Sequence, residues 1–73
     1  MEFRDRLRAV RDLRGLSQYR LAKESGVAQA TIWRLEAGKQ SGEYLSFGVV
    51  IKLAKTLQVP LDYLAGLLDE LPG

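Results

Sequence analysis

Cysteine and histidine are both absent from this 73-residue chain, and proline occurs only twice. Without thiols or imidazoles there is no disulfide, no zinc site of the usual ligands, and no nucleophilic triad that relies on an imidazole base. Enzymatic activity is therefore not expected, and neither is a metal or another cofactor. No apolar run approaches the roughly 18 residues that a membrane span needs. The first residues interleave Arg and Asp where a signal peptide would carry an apolar stretch, so the expected location is the cytoplasm.

What is present is an ordinary globular composition, 47% hydrophobic and 27% charged, too apolar for a disordered segment and too short for two domains. We expect one domain over residues 1–73, with a core from about 3 to 68 and a tail at 69–73. A domain of this size buries only about 60% of its unfolded surface, so tightly packed helices or a partner subunit must supply its stability. The net charge of +2 is unevenly divided: residues 1–40 hold nine Lys/Arg against five Asp/Glu, and residues 41–73 hold two against four. A polyanionic partner would meet the first half.

Apolar spacing predicts five helices and no strand, an all-α fold. Phe3, Leu7, Val10 and Leu13 or Arg14 mark the first, over Glu2 to Arg14, ended by Gly15. Ser17 caps a second from Gln18, with Leu21, Ala22 and Ser25 on one face, which stops at Gly26. A third begins near Gln29, turns Ile32 and Leu35 inward, and ends at Gly38. Gly38 to Leu45 reads as a loop and Ser46 as the next cap. The fourth helix has Phe47, Val50, Ile51, Ala54 and Leu57 as its apolar face, and Gly48 within it suggests close packing, since Gly costs roughly 1 kcal/mol there relative to Ala. Pro60 suits the first position of a fifth helix through Leu61, Leu64 and Leu68, before Pro72 and Gly73.

Two helices that cross closely at a fixed angle need a small residue at the crossing, a Gly in the turn and apolar anchors on both sides. Leu21, Ala22, Gly26, Val27, Ile32 and Leu35 supply these at the spacing of a helix-turn-helix. Through GLSQYRLAKESGVAQATIWRLEAGK (residues 15–39) and LAKTLQVPLDYL (residues 53–64) the chain resembles the Cro/C1-type repressors, the lambdoid-phage and xenobiotic-response-element family. That resemblance implies a compact five-helix lambda-repressor-like domain whose third helix enters the major groove of double-stranded DNA, the docking geometry being carried over from the family.

On a helical wheel of about 100° per residue, with Ile32 and Leu35 inward, Ala30, Trp33, Arg34 and Ala37 face out and Gln29 lies at the edge. Gln can bond adenine N6 and N7, Arg can bond guanine O6 and N7, and Ala30 can meet a thymine methyl, so Gln29, Ala30 and Arg34 are the candidate base contacts. Without the motif, Gln29 and Arg34 would read as ordinary solvated residues. Trp33 has three readings open to it: the DNA sugar edge, a dimer contact, or packing back on helix 1. Ser17, Gln18, Tyr19, Thr31, Lys39 and Gln40 are candidate backbone or supporting contacts, and the free N–H groups at the start of helix 2 favour an anion. For Ser17 a plain helix cap is the simpler reading, true alongside the other. The resemblance implies that Gln18 clamps a phosphate and supports Gln29.

Glu36 lies about 70° from the centre of the inward face, too close to the core for an unpaired carboxylate. The resemblance supplies Arg11 as its partner, a structural ion pair whose guanidinium can also approach a phosphate. The other arginines of helix 1 (Arg4, Arg6, Arg8, Arg14) alternate with acids and read as a solvated face. The loop after helix 3 departs from the family pattern, with Lys39 as its sole basic residue and Glu43 acidic, although the backbone N–H groups of Gln40 to Gly42 can hold a phosphate.

The expected function is a sequence-specific DNA-binding transcriptional regulator, a repressor, bound as a homodimer to a palindromic operator. The alternative is an antitoxin-like or adaptor protein with a protein partner, suggested by Leu64, Leu67, Leu68 and Leu71 and by Trp33. Asp69 and Glu70 are adjacent on a helix end and do not face each other, so they form no catalytic pair. With no separate sensor domain, control is expected through concentration, dimerisation or another protein, or the chain is part of a longer regulator. The dimer surface is expected at helix 5 and the leucine tail, or at the loop before helix 4.

Overall fold

Each helix begins and ends at a residue whose chemistry explains the boundary. The computed structural model describes residues 2–39 and 46–64, and contains α1 (Phe3–Leu13), α2 (Gln18–Ser25), α3 (Gln29–Glu36), α4 (Phe47–Leu57) and α5 (Leu61–Leu64). No strand occurs among the described residues. The Ser17 hydroxyl accepts the Arg20 N–H at 3.0 Å to start α2, and the Ser46 hydroxyl accepts the Val49 N–H at 3.3 Å to start α4; each satisfies a donor that a helix start leaves open. At the far end of α1, the Gly15 N–H reaches the Asp12 carbonyl at 3.0 Å and the Leu16 N–H the Arg11 carbonyl at 3.1 Å, the paired bonds of a Schellman turn. α3 ends in the same way at Gly38, and α4 does so with Gln58 in the left-handed region at φ 58°.

The helices enclose one core. Leu7 and Val10 from α1, Leu21 from α2, Ile32 and Leu35 from α3, and Leu53, Leu57 and Leu64 from α4 and α5 are almost wholly removed from water, each contributing about 1.5–3 kcal/mol by burial. α2 packs against α3 and α4, while α1 packs against α3 and α5. α3 is thereby held from two sides, by α1 and α2, while Gln29, Ala30, Trp33 and Arg34 stay exposed.

Several expectations need correction. Phe47 is 66% exposed and Leu53 is fully buried, because the inward stripe of α4 runs through Val49, rather than the expected Val50, and on through Leu53, Ala54 and Leu57. That helix is apolar enough to satisfy helical spacing on two overlapping stripes, and Phe47 belongs to the wrong one. Ile51, also on that stripe, is half-buried. Gly48 does not mark close packing, since nothing lies within 4 Å of where its Cβ would sit. Leu13 is 64% exposed, and Arg14, itself exposed, reaches the end of α4, donating to the Leu57 carbonyl at 2.7 Å and the Gln58 carbonyl at 3.2 Å.

Arg6, unlike Arg4, Arg8 and Arg14, leaves the solvated face. It is 6% exposed, bonds the Tyr63 carbonyl at 3.2 Å and lies 4.6 Å from the centre of the Tyr63 ring, a cation–π arrangement. Arg6 of α1 and Arg14, the residue that caps it, thus bond to α5 and to the end of α4. Pro60 stands one residue before α5, its carbonyl accepting the Tyr63 N–H at 3.1 Å. The expected continuation through Leu67, Leu68, Asp69, Glu70 and Leu71, and the loop contacts at Gln40 to Gly42, lie outside the described residues.

Candidate nucleic-acid interface

The angle between α2 and α3 is set by a short, sterically simple turn. Gly26 adopts φ 78° and closes α2 through its N–H to the Ala22 carbonyl at 2.9 Å, a conformation that costs a side-chain-bearing residue about 1–2 kcal/mol. The Val27 N–H is held by the Ser25 hydroxyl at 3.2 Å, and the Val27 side chain is buried. Ala22, small and half-buried, stands on the packed face of α2. α3 then starts at Ala28 with no side-chain cap, so its leading N–H groups and the positive end of its dipole are not taken up by a capping side chain.

The inner side of α3 is pinned by a bidentate ion pair. Arg11 Nε and Nη2 donate to Glu36 Oε2 and Oε1 at 2.7 and 2.9 Å, and Arg11 Nη1 donates to the Leu16 carbonyl at 2.8 Å. The side chains retain only 12% and 4% of their exposure. The hydrogen bond to Glu36 raises the Arg11 pKa above its ordinary value, against the opposing effect of burial, and the nearby charges of Glu36 and Asp12 add to the rise. The stability gained from that shift is lost only as pH rises through a value already above the usual arginine range, so it adds no pH dependence near neutrality. Gln18 completes the cluster by donating to Glu36 Oε1 at 3.2 Å. This differs from the expected support of Gln29 by Gln18: the Glu36 carboxylate is the stronger acceptor and lies within reach, so Gln18 joins α2 to the C-terminal end of α3 instead.

The outer side of α3 is the opposite case. Gln29, Ala30, Arg34 and Ala37 are exposed, Thr31 is half-buried, and Trp33 keeps 52% of its surface in solvent. Arg34 makes one long contact, from Nη2 to Thr31 Oγ1 at 3.4 Å, too weak to fix a guanidinium. Trp33 at this exposure is not folded away against α1. Tyr19 on α2 is 56% exposed, and Ser17 and Lys39 are exposed at the two ends of the motif. Gln40 lies outside the described residues.

Reading the sequence alone did not single out Lys23. It lines an open groove of about 460 Å³ together with Tyr19, Ala22, Gly26, Val27, Ala28 and Gln29, on the α2 side of the N-terminus of α3. The signal was available, since Lys23 follows Tyr19 by four residues and so shares its face of α2.

A helix-turn-helix family model matches residues 7–64. The chain is 38% identical over 71 residues to the HTH-type transcriptional repressor RghR of Bacillus subtilis (strain 168), covering 93% of this chain and 51% of that protein. It therefore spans about half the length of this curated relative. Its fold is similar to the crystal structure of the restriction-modification controller protein C.AhdI from Aeromonas hydrophila, with a TM-score of 0.76 and 34% identity, over 85% of this chain and 89% of that one.

Proposed function

Because the chain belongs to the Cro/C1-type helix-turn-helix family, we propose that it is a sequence-specific DNA-binding transcriptional repressor. It acts in the cytoplasm as a homodimer on a palindromic operator. The observation that carries this reading is the contrast across α3: a face bearing Gln29, Ala30 and Arg34 that is exposed and almost without internal partners, on a helix anchored from behind by Arg11 and Glu36. Such a helix can enter a major groove without rearranging. Gln29, Ala30 and Arg34 read base edges, while Ser17, Gln18, Tyr19, Thr31, Trp33, Lys39 and Gln40 hold or support the backbone contacts. Exposed Phe47 and Leu13 are apolar side chains available to a second copy.

Selection from random-sequence DNA tests this directly. It should return an inverted repeat with half-sites about one helical turn apart, and sedimentation should count two chains on each selected duplex. If no motif is enriched, the reading fails. If instead a stoichiometric protein partner co-purifies while DNA is bound without sequence preference, the antitoxin-like or adaptor reading takes its place.

A further inference from the structure

A recognition helix lying in the major groove has phosphates near both of its ends, and contacts to them fix its register. The start of α2 offers Ser17 and Gln18, the latter bonded to Glu36 at the C-terminal end of α3 at 3.2 Å. At the C-terminal end the sequence from Ala37 to Ser46 provides only Lys39 as a cation, with Glu43 opposing it. Besides Arg11, which is taken up by Glu36, the fold brings a further cation there from a distant part of the chain.

α3 closes at Gly38, where φ is 75°, the Gly38 N–H reaches the Leu35 carbonyl at 3.3 Å and the Lys39 N–H reaches the Arg34 carbonyl at 2.9 Å. Arg4, in the first turn of α1, lies directly over that turn. A Cβ on Gly38 would overlap Arg4 Nη1 and come within 3.3 Å of its Cδ and 3.5 Å of its Cζ. Glycine here leaves room for the guanidinium, and the carbonyl end of α3 is a favourable place for a positive charge. Arg4 is consequently held at the turn that leads into Lys39, although 34 positions separate it from Gly38 in the sequence.

The guanidinium is available to a ligand. Its side chain is 49% exposed, and its ion pair is with Glu2 Oε2 at 3.0 Å, on a side chain 70% exposed. Exposed pairs of this kind are weak, and a phosphate can accept two guanidinium N–H groups at once and carries more charge. We propose that Arg4 is a DNA-backbone ligand that supplies, with Lys39, the phosphate contact at the C-terminal end of α3, and that Glu2 occupies it when DNA is absent. This rests on α3 being the recognition helix.

The test is operator affinity of the full chain measured across a range of salt concentrations. Arg4→Ala should weaken binding to all sequences alike and make the slope of log K against log salt shallower by about 0.9, the value for one phosphate contact. Arg4→Lys should keep most of the slope. Glu2→Gln removes the competitor while leaving the backbone bond from the Glu2 N–H to Asp5 (3.2 Å) in place, and should tighten binding by up to about fivefold, the scale of an exposed ion pair. If Arg4→Ala leaves the slope unchanged, or Glu2→Gln leaves affinity unchanged or weakens it, Arg4 is only a cap on α3 and the proposal is overturned. That failure is separable from failure of the underlying reading, in which the unmodified chain shows no preferred DNA sequence.

Discussion

The two faces of α3 differ in how their side chains are satisfied. On the inner face Ile32 and Leu35 are sealed in the core, and Glu36 accepts three hydrogen bonds from Arg11 and Gln18. On the outer face Gln29, Ala30 and Arg34 face solvent, with one weak contact among them. Folding free energy is therefore invested on one side only. A helix of eight residues would not hold its shape in isolation, so the inner face keeps it helical and correctly aimed, while the outer face remains free to be selected for what it touches.

This contrast can be broken most severely at Glu36. Glu36→Ala leaves the Arg11 guanidinium, 12% exposed, with only the Leu16 carbonyl at 2.8 Å and Asp12 at 3.6 Å, and should destabilise the fold by about 1–3 kcal/mol, visible as a clear drop in denaturant midpoint. Replacing both partners by apolar residues should cost far less, because the penalty comes from the unpaired charge rather than from loss of the pair. A smaller effect is expected at Ser17, which lies between the two regimes. Ser17→Ala removes the acceptor for the Arg20 N–H and should cost about 1 kcal/mol of stability, read in the same denaturant titration.

The motif itself was legible because its demands are local. Gly26, Ala22 and the anchors Leu21, Val27, Ile32 and Leu35 must fall at fixed spacings for two short helices to cross, and the caps at Ser17 and Ser46 follow from unsatisfied N–H groups. The Arg11–Glu36 pair was also within reach, since the wheel places Glu36 near the core and the family resemblance names its partner. Less visible were contacts between elements far apart in the sequence. Arg6 on Tyr63, Arg14 on the end of α4 and Arg4 on Gly38 all read as solvated charges, because nothing local reveals that a carbonyl or a turn from another helix will arrive there. α4 failed for a different reason. Its apolar residues satisfy two stripes at once, and only packing against α2 and α5 decides that Leu53 goes in and Phe47 stays out. Base preference, under the proposed reading of the outer face, would be a property of the complex and not of the fold.

Arg34 tests the division between the two faces most directly, through stability and operator preference measured on the same variant. Arg34→Ala should leave the denaturant midpoint within about 0.5 kcal/mol of the parent, while weakening operator binding by about 1–3 kcal/mol and relaxing preference at one base pair of each half-site. A variant that loses stability in step with affinity, or that binds the operator with its preference intact, would contradict the assignment of the outer face of α3 to reading DNA.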